Sequence, residues 1–192
     1  WIDSFMRFPM FRWREGLLLT MLAAGFLAVS TMADGFLAKG HVWFSAGFEG
    51  TNALHGWSGS ATLEPGFESQ QSAALERSAS SDRGVAAIIR KLPVEQLRGH
   101  TVLGSARVKA DKVSAKPNPW NGIKFMLALE TAEEKQWPQA ALNTGSFDWQ
   151  RAMFTVRIPT DATSATLHPG LEEVTGKVWF DDVKFLVQKA PV

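Results

Sequence analysis

Cysteine is absent from the 192 residues, which removes disulfides, thiolate nucleophiles and Cys-ligated zinc together. Tyrosine is absent as well, although the chain carries 8 Trp and 13 Phe. Charge of one sign is lacking too. The formal net charge is +1 and no Lys/Arg run exceeds two residues, so broad attraction to nucleic acid has no basis. The four histidines, His41, His55, His100 and His168, form no pair at helical or H-x-H spacing, which argues against a catalytic zinc site. There is no P-loop and no G-x-G-x-x-G. The stretch GWSGS (56–60) lacks the strand-to-helix context of a nucleophile elbow. Glu133-Glu134 and Glu172-Glu173 are neighbours in polar connections. Glycosidase carboxylates must face each other across a substrate, so both pairs read as solvated loop charge. No catalytic residue is assigned, and the expectation is a protein that is not an enzyme.

What is present suits a folded domain. The hydrophobic fraction is 45% and the charged fraction 20%. The length accommodates one domain of about 150 residues and an extension. The extension is N-terminal. Residues 16–33, GLLLTMLAAGFLAVSTMA, contain no charge, and as a helix they would span roughly 27 Å, near the thickness of bilayer hydrocarbon. Arg7, Arg12 and Arg14 precede the run, so the positive-inside rule puts the N-terminus in the cytoplasm. A cleaved signal peptide, with small residues near Ala28-Val29-Ser30 or Thr31-Met32-Ala33, is the other reading. The preceding stretch favours a retained anchor. Trp1, Phe5 and Phe8 recur at helical spacing, and Phe11 and Trp13 alternate with Arg12 and Arg14, a mixture suited to lipid headgroups or to a groove on a neighbouring membrane protein. The expected organisation is an interfacial segment (1–15), a transmembrane anchor (16–38) and an extracytoplasmic domain (39–192). The setting expected is the inner membrane of a bacterium, crossed once, with the C-terminal domain in the periplasm.

From residue 40 onward the pattern changes to short alternating segments. Val102, Gly104, Ala106, Val108 and Ala110 form one face of TVLGSARVKA, with Arg107 and Lys109 on the other. Ile123, Phe125, Leu127 and Leu129 oppose Lys124, Met126 and Glu130, and Phe154, Val156 and Ile158 repeat the alternation. Period-two patterning with one polar face predicts antiparallel strands over a core. Pro117-Asn118-Pro119, Asn143-Thr144-Gly145 and Pro159-Thr160-Asp161 supply turn chemistry between them. The result is an all-β antiparallel sandwich or jelly roll, with a short helical turn within 92–99. In KVWFDDVKF (177–185), Val178 and Phe180 share one parity while Val183, Phe185 and Val187 share the other. A one-residue bulge at Asp181-Asp182 reconciles the two halves.

The order of motifs resembles the jelly-roll carbohydrate-binding modules with a galactose-binding-like fold. Gly47-Phe48-Glu49-Gly50 followed by Gly56-Trp57 matches the family's opening, and Gly99 through Ala110 matches a middle strand. Trp149 with Phe154 through Pro159, then Gly176 through Phe185, match its closing strands, so the likeness covers about 42–188. The resemblance implies a structural calcium held by the opening Glu and the closing Asp, here Glu49 and Asp181 or Asp182, hard oxygen donors suited to Ca²⁺. Trp120 and Trp137 fall in polar, Pro-containing connections, where an indole can stack on sugar or anchor an interface. Trp57, Trp149 and Trp179 adjoin strand motifs and read as core or edge residues.

Two functions follow, both non-catalytic. In the first, the anchor and the aromatic-arginine stretch make the protein an accessory scaffold that docks on integral subunits of a larger bacterial membrane complex, of respiratory or photosynthetic type. In the second, it is a carbohydrate-binding module for a cell-envelope or extracellular glycan. The first has the stronger support in the residues; the second rests on the resemblance and the two tryptophans.

Overall fold

The alternating segments form strands, and the parity switch in KVWFDDVKF is the pivot of their arrangement. The computed structural model describes residues 37–78 and 84–191. The interfacial residues Trp1, Phe5, Phe8, Phe11, Arg12, Trp13 and Arg14, and the anchor up to residue 36, lie outside the described residues. Among the described residues no helix is long and apolar enough to cross a membrane. Leu37, placed in the anchor by the sequence reading, packs on the core of the domain, and its N–H donates to His100 Nε2 at 3.0 Å.

The strands are β1 (Val42–Ala46), β2 (Ser58–Gly59), β3 (Thr62–Glu64), β4 (Ser72–Arg77), β5 (Val85–Leu92), β6 (Thr101–Val113), β7 (Gly122–Glu130), β8 (Lys135–Gln136), β9 (Gly145–Arg157), β10 (Ser164–Glu172) and β11 (Gly176–Lys189). A 3₁₀ turn, Val94–Leu97, falls where the sequence predicts one. A six-stranded sheet runs β3-β4-β11-β6-β9, with β1 also on β11, and a five-stranded sheet runs β2-β5-β10-β7-β8. Every pairing is antiparallel.

β11 is the axis of the first sheet. Its first half pairs with β4 from Gly176 to Phe180, and its second half pairs with β1 from Val183 to Leu186. Between them the register on β6 advances from Asp181 opposite Arg107 to Lys184 opposite Ser105, one extra residue on β11. Asp182 takes a φ of 47° at that point, the left-handed conformation that Asp tolerates better than most side chains. The bulge therefore keeps Val178, Phe180, Val183, Phe185 and Val187 all in the core. Phe185 meets Phe154 at a centroid distance of 5.9 Å and Phe125 at 6.4 Å, which joins both sheets through one aromatic cluster. Burying each ring stabilises the fold by about 1.5–3 kcal/mol. Gly104 is required beside them: a Cβ there would stand 2.8 Å from the Phe154 ring and 3.1 Å from that of Phe185. The core residues on β6, β7 and β9 are those that the alternation assigns.

Candidate functional site

The outward face of the five-stranded sheet collects the polar members of each alternation. β7 presents Lys124, Met126, Ala128 and Glu130, and β10 places Gly170, His168, Thr166 and Ser164 against them in register. Beyond β7 the edge continues as β8 and the residues after it. Lys135 pairs with Glu130 at 2.7 Å, Gln139 bridges to Met126, and Trp137 lies between these two outward positions. Pro138 fits this edge because its carbonyl accepts from Leu127 N–H at 2.9 Å while its missing N–H leaves nothing unpaired.

Lys124 is the hub of this face. Its ammonium is nearly buried and pairs with Glu172 at 2.7 Å. It also donates to the carbonyl of Trp120 and, at 3.2 Å, to Gln139 Oε1. One charge thus ties the loop before β7, the edge after β8 and the end of β10 together, and Glu172 neutralises it. Glu172 is accordingly no solvated loop charge; it is the last residue of β10 and faces the site. The Trp120 loop is further set by a turn in which Asn121 N–H donates to the Asn118 carbonyl at 3.0 Å. The side chains repeat the link, Asn118 Nδ2 to Asn121 Oδ1, also at 3.0 Å.

Trp120 and Trp137 are 63% and 56% exposed, so neither indole is drawn into the core. Two clefts open beside Trp120. One, of about 250 Å³, reaches Gln139 and Leu142, and the other, of about 500 Å³, reaches Asn118 and Glu172. His168 Nε2 lies 2.8 Å from Thr166 Oγ1 in the middle of the face, and burial holds its imidazole below the ordinary histidine range. The arrangement offers exposed indole surface with amide and carboxylate acceptors, which suits the C–H faces and hydroxyls of sugars.

Of the residues singled out in the sequence, Trp120 and Trp137 border this same face. Lys124, Gln139, His168 and Glu172 were missed. The signal was the period-two alternation of β7 and β10, which marked Lys124 as outward without showing its partner. Among the other tryptophans, Trp57 packs on Phe48 at 5.5 Å and Phe44 at 6.3 Å beside the core. Trp149 lies on the edge strand β9. Trp179 is neither core nor edge: it occupies the central strand β11 and points outward, between the buried Val178 and Phe180.

Glu49, Asp181 and Asp182 lie elsewhere, around the loop 65–71. Asp181 is buried. Its Oδ2 accepts from Phe67 N–H at 2.9 Å and Ser69 Oγ at 2.6 Å, and its Oδ1 accepts from Asp182 N–H at 2.7 Å. Glu49 Oε1 accepts from Gln71 N–H at 2.8 Å on the same loop. Asp182 instead pairs with Lys184 at 2.5 Å on the surface. A Cβ on Gly66 would lie within 2.6 Å of three oxygens, Ser69 Oγ, Asp181 Oδ2 and the Gln71 carbonyl. Gln71 Oε1 is buried without a hydrogen-bond partner. Among the described residues no three His, Cys, Asp or Glu side chains converge as a metal site. Ser69 Oγ, Asp181 Oδ2 and the Gln71 carbonyl converge at Gly66, and Glu49 binds the same loop; oxygen donors of these kinds suit a hard cation.

No protein-family model matches this chain, and no curated protein matches it. Solved structures do. The CBM22-1 xylan-binding domain of Xyn10C from Paenibacillus barcinonensis superposes with a TM-score of 0.58 at 18% identity, covering 80% of this chain and 99% of that one. The fold is that of a carbohydrate-binding module. The family 22 module of Clostridium thermocellum Xyn10B, whose cleft was studied for ligand binding, gives 0.55 at 18% identity over 77% of this chain and 93% of its own. The tandem CBM22-1–CBM22-2 domain of the Paenibacillus protein gives 0.56 at 19% identity, over 78% of this chain and 50% of that chain. At these identities the likeness carries the jelly-roll architecture and no residue roles.

Proposed function

We propose that residues 37–191 form a non-catalytic carbohydrate-binding domain that takes a neutral glycan, of the xylan class, on the outward face of the five-stranded sheet. The observation that carries this reading is the placement of Trp120 and Trp137 on one face, where the buried Lys124 is neutralised by Glu172. The xylan-binding solved structures support the same reading. Docking on a membrane complex rests on residues 1–36 and gains nothing from the comparisons, so glycan binding takes precedence. An extracytoplasmic location, reached through the apolar segment 16–33, accords with a glycan ligand.

The test is calorimetric titration of the full chain with xylohexaose. Trp120→Ala removes the indole but keeps the main-chain carbonyl that holds Lys124, so the loop stays anchored. We expect W120A to weaken binding by about 2 kcal/mol, near thirtyfold, and W120A/W137A to abolish it. Wild-type affinity in the double variant, or no binding of the native chain to any neutral β-linked oligosaccharide, overturns the proposal.

A structural calcium belongs to this reading. Glu49, Asp181, Ser69 and Gln71 would hold it, with Asp182 outside the set. When bound, the ion supplies a charge that pins the loop 65–71 to β1 and β11; it takes no part in chemistry.

A further inference from the structure

An arginine faces inward at the other edge of the five-stranded sheet. The strand order runs from β2 to β8, so β5 beside β2 lies across the sheet from the segment that carries Trp137. On β5, Arg90 shares its parity with the buried Ile88 and Leu92, and it stands in register with the fully buried Leu167 of β10. Alternation therefore sends its side chain between the two sheets, not to the outer face.

The loop before β2 is folded around this guanidinium. Arg90 Nη1 donates to the His55 carbonyl at 2.7 Å. Gly56 makes the room: its φ is 78°, and a Cβ there would stand 1.6 Å from Nη1. Two turns set the loop, with His55 N–H donating to the Asn52 carbonyl at 2.8 Å and Trp57 N–H to that of Leu54 at 3.1 Å. Extending the β2–β5 register by one residue puts Trp57 opposite Arg90. Among the described residues Arg90 pairs with no carboxylate, and the His55 carbonyl takes only one of its five N–H groups.

A cleft of about 430 Å³ opens here, bounded by Phe44, Glu49, Asn52, His55, Trp57 and Arg90. Small-molecule sites commonly measure about 300–1,000 Å³. Phe44 and Trp57 are half-buried and meet edge-on at 6.3 Å, and Trp57 also packs on the buried Phe48 at 5.5 Å. Glu49 accepts from the neutral Gln71 N–H through Oε1, so it keeps its charge and offsets that of Arg90. The lining thus favours neither an acidic nor a basic ligand. It offers guanidinium donors, acceptors on Asn52 and on the second Glu49 oxygen, and ring surface for C–H groups.

We infer that this cleft is a second saccharide site, separate from the Trp120 face, which takes the terminal unit of a neutral glycan. Ring hydroxyls accept from Arg90 and donate to Asn52 and Glu49, while a C–H face lies against Trp57. A terminal unit fits because the cleft is backed by the core at Phe48, so a chain enters by its end.

The test uses the full chain carrying W120A/W137A, so that failure of the Trp120 face is not mistaken for failure of this cleft. Xylobiose, cellobiose and mannobiose are each titrated against isotope-labelled protein, and W57F identifies the indole N–H resonance of Trp57. At least one of these disaccharides is expected to shift that resonance saturably, and R90Q is expected to weaken the response at least about tenfold. The inference is overturned if none of the disaccharides shifts the Trp57 resonance, or if R90Q with a native melting transition binds as its parent does. Should R90Q fail to fold, N52A on the exposed turn takes its place, and unchanged binding by N52A overturns the inference. Tighter binding of digalacturonate than of every neutral disaccharide overturns the neutral assignment.

Discussion

Asp181 and Asp182 are chemically identical neighbours, and the structure assigns them very different energetic weights. Asp181→Ala deletes a buried carboxylate that accepts three hydrogen bonds, from Phe67 N–H, Ser69 Oγ and Asp182 N–H. A hydrogen bond to a charged partner contributes about 1.5–3 kcal/mol, so the simple sum is about 5–9 kcal/mol. Two effects reduce it. Ser69 Oγ already lies 3.2 Å from the Gln71 carbonyl and can turn its proton there. Removing the charge also removes the cost of burying it. We therefore expect D181A to lose about 3–5 kcal/mol. Asp182→Ala breaks the surface pair with Lys184, whose side chains are 38% and 44% exposed, and puts alanine in the left-handed conformation at φ 47°, which together should cost about 1–2 kcal/mol. Urea denaturation followed by tryptophan fluorescence measures both. Under EDTA the difference between the two variants contains no calcium contribution. Under saturating calcium the gap widens, because the native chain gains binding free energy that D181A forfeits. A loss for D181A under EDTA no larger than that for D182A refutes the hydrogen-bond reasoning. A native melting temperature indifferent to EDTA removes the calcium.

Two other predictions concern charge. His168 has a folded pKa held below 6.5 by burial, so its neutral ring stabilises the fold above that pH, and the contribution is lost as pH falls from 6.5 through the folded value. Glu64 is held below 4.5, first by its hydrogen bond from Lys177, and its contribution is lost as pH falls below 4.5. The melting temperature should thus decline in two steps on acidification, and H168Q should remove the upper one; parallel profiles for H168Q and the native chain count against this. Glu172→Gln leaves Lys124 without its counter-ion and should cost about 1–3 kcal/mol in thermal unfolding, with weaker xylohexaose binding. Unchanged stability would show that Lys124 is held by Trp120 and Gln139 alone.

The fold was legible wherever side-chain parity alone decides it. The alternation of β6, β7 and β9 named their buried residues, and the broken parity of KVWFDDVKF located the bulge, because a residue that faces the wrong way in a half-buried strand is costly enough to be visible. The candidate site was legible only in part. Trp120 and Trp137 stand out because an indole in a polar loop has no core to enter. Lys124 and Glu172 do not stand out, because their meaning lies in a pairing between strands far apart in sequence, and each alone resembles ordinary surface charge. Trp179 failed for the opposite reason. Its strand is largely apolar, so the sequence reads it as a core or edge residue, yet its parity sends it outward on a central strand, where Lys109, Lys177 and Glu64 surround it. Parity should have outranked composition there. The same rule exposes the row of Arg107 and Arg151: an outward residue on each of two adjacent strands is unremarkable in sequence, and only the register shows that the two like charges meet. A sheet can keep such a row because Asp181 of β11 stands opposite Arg107 on its other side in the register, while solvent screens the exposed Arg151.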